Sequence, residues 1–190
     1  MKTLIYLHGF ISSPQSQKAL DVTEYIAANN FAVEFICPQL EDHPRQAKIQ
    51  LSELVQQQDV KPALIGSSLG GFYASWLAEQ HGLKAVLVNP VVNPHKLLSG
   101  SDEEHFNSYT GNHFILSEDD LYTLQSMEIE PILSASQLML MVQTGDEVLE
   151  YRHAVNKYKH ANQLVEQGGD HRFQNFKSHL PEIFKFLQLG

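Results

Sequence analysis

Short, wholly apolar runs recur along this chain, and amphipathic stretches separate them. Residues 4–7, 62–65, 85–88 and 138–142 are such runs, and 31–36 alternates around Glu34. Between them, apolar residues fall at helical spacing. Ala19, Leu20, Val22, Ile26 and Ala27 mark a helix over 15–29, and Ala47, Ile49, Leu51, Leu54 and Val55 mark one over 46–57. Phe72, Ala74, Trp76, Leu77 and Ala78 mark a third over 70–81. Strands apolar on both faces, joined by helices, require a parallel sheet covered on both sides. Each crossover is then right-handed.

The rhythm breaks between residues 93 and 132, where the chain turns polar and irregular, with one helical patch near 118–124. It resumes with the strand at 137–142, a helix near 152–158, a weak strand at 163–166 and a last helix over 174–187. The expectation is one domain over 1–190, with 93–132 as a cap-like insertion over one edge of the sheet. Phe106, Tyr109, Phe114, Leu121 and Tyr122 would line a binding pocket there, or pack only for stability. A length of 190 residues and a hydrophobic share of 43% supply enough apolar surface for such a core.

Composition removes several function classes. Thirteen Lys and Arg against 22 Asp and Glu leave a net charge of −9, with no basic run to neutralise phosphates. Nucleic acid and anionic membrane surfaces are therefore poor partners, and a small molecule is the expected one. The single cysteine, Cys37, excludes an intramolecular disulfide and reads as a small hydrophobe at a strand end. The opening run is too short for a signal peptide and no segment is long enough to span a membrane, which points to the cytoplasm.

Gly66-Ser67-Ser68-Leu69-Gly70 fits G-x-S-x-G, and it lies between a strand and a helix rich in small residues. A nucleophile elbow needs that context. The tight turn strains the serine backbone, and glycines remove the clashes that flanking side chains would make. Only Ser68 has glycine at both −2 and +2. The motif is no phosphate loop, because Gly71-Phe72 stands where Lys-Ser/Thr is required.

A serine nucleophile needs a base, and the base needs an orienting acid. His8 sits in the turn after the first strand and is read as holding that loop by a hydrogen bond. Most of the ten histidines fall on helices or in the insertion and are read as solvent-facing. His171 lies in Gly168-Gly169-Asp170-His171-Arg172-Phe173, a flexible turn between the last strand and the last helix. Asp146 follows the strand at 137–142. Glu147 and then Asp170 are weaker choices of acid, and capping the next turn is the alternative role for Asp146. The order Ser68, Asp146, His171 is that of α/β-hydrolases.

His8-Gly9-Phe10 with Ser12-Ser13-Pro14, the elbow glycines, Asn89-Pro90, Gln143-Thr144-Gly145-Asp146-Glu147-Val148-Leu149 and the turn around His171 together resemble the YqiA-type small bacterial esterases. That resemblance covers essentially the whole chain. It implies an α/β-hydrolase-like three-layer sandwich with a reduced, mostly parallel sheet of about six strands. It implies esterase-like activity on carboxylic esters or thioesters, no metal or cofactor, and Ser68, Asp146 and His171 as catalytic residues. The His8-Gly9-Phe10 turn resembles an oxyanion loop, with the backbone N–H groups of Phe10 and Leu69 as donors. Thioester, amide and peptide bonds remain alternatives to an ester. A non-catalytic binding protein on the same scaffold is the alternative from another class.

Overall fold

A computed structural model describes residues 1–100 and 103–190. Six parallel strands form the main sheet: β1 (Lys2–Leu7), β2 (Val33–Ile36), β3 (Ala63–Ser67), β4 (Ala85–Val88), β7 (Leu138–Gln143) and β8 (Asn162–Glu166). Their spatial order is β2-β1-β3-β4-β7-β8. The sheet therefore starts in the middle and winds outward in both directions, as a doubly wound α/β sheet does. The crossovers carry α1 (Gln17–Ala28), α2 (Pro44–Gln56), α3 (Leu69–His81) and α6 (Tyr151–Lys157), and α7 (Leu180–Leu187) closes the chain.

Alternation within the strands divides the core in two. Ile5, Leu7, Leu64, Leu87 and Leu140 face α2, α3 and α6. Leu4, Tyr6, Ile65, Val86 and Met141 face α1 and α7. The central strands are buried on both faces. The three-layer parallel architecture expected from the apolar runs is the one found.

Two stretches differ from the expectation set by the sequence. The last helix does not run over 174–187. A 3-10 turn at Phe176–His179 precedes α7, which starts at Leu180 with Pro181 in its first turn. Proline lacks an N–H and is tolerated at a helix start, not inside. The stretch 93–132 also holds more than one helical patch. It contains α4 (Pro94–Leu97), an antiparallel hairpin of β5 (His105–Asn107) and β6 (Asn112–Phe114), and α5 (Glu118–Ser126). Strands of three residues are too short to leave a period in sequence.

This stretch is tied to the start of α2 by two carboxylates. Asp42 accepts from the side-chain amides of Asn107 at 2.6 Å and Asn112 at 2.8 Å. Asp120, buried, accepts from His43 Nδ1 at 2.8 Å and from Ser117, whose hydroxyl caps α5. Burial alone would raise the Asp120 carboxyl, but the bonds from His43 and Ser117 outweigh it and hold it below the usual value. Asp120→Ala removes the carboxylate arm of this capping box and leaves His43 Nδ1 and the Ser117 N–H without their partner. We expect it to lower the unfolding free energy by about 1–3 kcal/mol in urea titration, with amide exchange accelerating first in α5.

Candidate active site

The turn between β3 and α3 is a strained elbow. Ser68 has φ 55° and ψ −119°, outside the regions L-residues prefer. A Cβ on Gly66 would overlap the backbone of Gly70, and one on Gly70 would overlap the carbonyls of Leu7 and His8. Glycine at both places is thus a packing necessity. The Ser68 N–H donates to Val88 O at 3.0 Å, and Ser68 O accepts from Val91 N at 3.2 Å, which pins the turn to the strand beside it.

The turn after β1 stands against the serine. A Cβ on Gly9 would lie 3.3 Å from Ser68 Cβ and 3.8 Å from its Oγ. His8 is buried and holds this turn, as read from sequence. Its Nε2 accepts from Leu40 N–H at 3.1 Å, and its Nδ1 donates to Gly9 O at 2.9 Å. Burial lowers its pKa and favours this neutral form. Phe10 packs edge-on against His105 and Phe114 of the hairpin, with ring centroids 5.2 and 5.9 Å away. Leu69 opens α3, so its N–H lacks a partner within the helix.

Three segments distant in sequence meet here. His171 Nε2 lies 3.1 Å from Ser68 Oγ, and its Nδ1 lies 2.9 and 3.0 Å from the two oxygens of Asp146. The carboxylate fixes the tautomer: Nδ1–H donates to Asp146, and Nε2 is left to accept from the serine hydroxyl. The Asp146 side chain is 2% exposed and that of His171 is 22% exposed, so their hydrogen bond is sheltered while the imidazole reaches the cleft. Asp146 also accepts from the Val148 and Leu149 amides at 2.9 and 2.8 Å. One carboxylate thus both caps its own turn and bonds the His171 ring.

The two weaker acid choices do other work. Glu147 accepts from the His171 backbone N–H at 2.9 Å, and Asp170 accepts from Arg172 N–H at 3.0 Å. Several histidines read as solvent-facing are partly buried beside carboxylates: His43 by Asp120, His95 by Glu128 and His179 by Glu166. Each partner lies far away in sequence, so no local pattern announced it.

A cleft of about 750 Å³ opens over Ser68 and His171. Gly9, Phe10, Lys18, Tyr109 and Arg172 are among its walls. Of the aromatic and aliphatic residues expected to line it from the insertion, Tyr109 does so. Phe114 is buried behind Phe10, while Phe106 and Tyr122 point into solvent. Lys18 and Arg172 bring positive charge to a wall that also holds Asp21, a local arrangement that the overall acidic composition does not reveal.

A doubly wound parallel sheet with a strained serine elbow, and with an imidazole and a carboxylate at the same rim, is the α/β-hydrolase fold. The solved structure of Est1E from Butyrivibrio proteoclasticus is similar over 99% of this chain and 87% of its own, with a TM-score of 0.73 at 14% identity. Within that fold, the chain belongs to the uncharacterised protein family UPF0227, which matches residues 3–188. A UPF0227 protein of Shewanella oneidensis is 23% identical, covering 98% of this chain and 99% of that one. Mouse alpha/beta hydrolase domain-containing protein 10 is also similar in fold, with a TM-score of 0.72 at 16% identity over 98% of this chain and 89% of its own.

Burial alone would raise the Asp146 carboxyl. The hydrogen bonds from His171, Leu149 and Val148 outweigh that and lower it. A carboxyl depressed in the folded state adds stability above its unfolded pKa, and that stability is lost as pH falls through the folded value. Below about pH 4, Asp146→Asn is therefore expected to lose unfolding free energy less steeply than the wild type, measured by urea titration at successive pH values.

Proposed function

We propose that this protein is a serine esterase that cleaves carboxylic esters or thioesters of small to medium acyl groups through an acyl-enzyme. The observation that carries the reading is the row from Asp146 through His171 to Ser68 at hydrogen-bond distances. Ser68 Oγ attacks the carbonyl carbon while His171 Nε2 takes its proton. Asp146 holds the imidazole in the tautomer that can accept, then stabilises the imidazolium. The carbonyl oxygen gains charge facing the amides of Phe10 and Leu69, each contributing about 2.7–4 kcal/mol of transition-state stabilisation. His171 returns the proton to the leaving alcohol or thiol. Water then enters, gives its proton to His171, releases the acid and restores Ser68. No step calls for a metal or cofactor.

The cleft supports a small-molecule substrate, since it is open at the strand ends and shaped by Phe10 and Tyr109. Ser68→Ala is expected to lower kcat on p-nitrophenyl butyrate on the order of 10⁶-fold, with the unfolding midpoint little changed, because alanine keeps the Cβ and with it the backbone strain. His171→Ala should fall by a similar factor. Unchanged turnover in the Ser68 variant would refute the mechanism. A wild type inert toward an ester and thioester chain-length series would favour a binding protein on this scaffold.

A further inference from the structure

The loop that carries His171 has a local turn of its own, in which Phe173 N–H donates to Asp170 O and Arg172 N–H to Asp170 Oδ1, both at 3.0 Å. Gly168, Gly169, Phe173 and Asn175 all have positive φ, between 60° and 75°. Such a path gives no regular backbone ladder, so its seating against the sheet rests on side-chain bonds from other elements. Two buried carboxamides reach it from neighbouring strands. Asn89, just past β4, donates from Nδ2 to Asp170 O at 3.0 Å and His171 O at 3.1 Å. Its Oδ1 accepts from Gln143 N–H at 3.0 Å. Gln143, the last residue of β7, accepts at Oε1 from Asp170 N–H at 3.2 Å and Gln174 N–H at 2.8 Å. Its Nε2 donates to Gln174 O at 3.0 Å and Glu166 Oε2 at 2.8 Å.

Backbone partners fix which end of each amide is which, because oxygens face N–H groups and nitrogens face carbonyls. Asn89 and Gln143 are 2% and 3% exposed, so every lost bond would leave a buried group unpaired. Asn89 itself stands at φ 40°, and a Cβ on Gly169 would overlap the Gln143 side chain. The absence of a Cβ at Gly169 thus leaves the room that the Gln143 amide fills.

We propose that Asn89 and Gln143 are positioning residues that set where the His171 imidazole stands between Ser68 and Asp146. This rests on the reading of His171 as the base. It also gives a role to Asn89 and Gln143 within the Asn89-Pro90 and Gln143-Thr144 motifs.

The test compares wild type, Asn89→Gly, Asn89→Asp and Gln143→Leu. Glycine accepts φ 40° without strain and removes the clasp, while Asp keeps the acceptor for Gln143 N–H and loses both donors. On p-nitrophenyl butyrate we expect kcat to fall about 10–100-fold with KM within about threefold, at a temperature where thermal melts show each variant folded. In proton NMR, the low-field Nδ1–H line of His171, assigned by its loss in His171→Gln, should broaden or move in each variant. Should Asn89→Gly not fold, Asn89→Asp decides. Wild-type kcat and an unmoved line in folded Asn89→Asp and Gln143→Leu would overturn the proposal. Because the NMR line needs no turnover, an inactive wild type would count against the esterase reading and leave the positioning measurable.

Discussion

The strained backbone of Ser68 is the constraint around which the rest of the site is arranged. A serine at φ 55° costs on the order of 1–3 kcal/mol, and it persists only because its surroundings leave no alternative. The strand before it is buried on both faces, and the helix after it is buried over most of its length. Gly66 and Gly70 allow the turn to close against β1. Val88 and Val91 bind the turn's N–H and carbonyl. The fold's most buried elements thus meet at the one residue whose side chain must stay accessible.

The other parts of the site are held by different means. The turn after β1 is locked from below by the neutral imidazole of His8. The Phe10 ring above it leans on the hairpin, and the hairpin is tied through Asn107 and Asn112 to Asp42. The loop bearing His171 depends on side chains at the ends of β4 and β7. Strand ends supply rigid ground, and irregular loops supply reach, as α/β sheets generally use them.

Much of this was legible in sequence, for identifiable reasons. Buried parallel strands read as unbroken apolar runs, so β1, β3, β4 and β7 stood out. The elbow was readable because steric necessity forces glycine at set distances from Ser68. Asp146 and His171 stand out in sequence because each follows a strand in the chain order of the fold, and the structure places the two side chains 2.9 Å apart. What escaped is equally particular. The hairpin at 105–114 is too short for periodicity. The His43–Asp120 pair joins residues whose proximity only the fold creates. Asn89 and Gln143 were visible as parts of motifs, but a carboxamide does not reveal from sequence which backbone groups it will meet.

The central claim is that the fold places one activated hydroxyl, that of Ser68, in line with His171. Intact-mass analysis with peptide mapping after reaction with a fluorophosphonate tests this most directly. The account predicts a single stoichiometric adduct, mapped to Ser68 and lost in His171→Gln. An adduct on Ser67 or elsewhere, or labelling of Ser68 that is indifferent to His171, would contradict it.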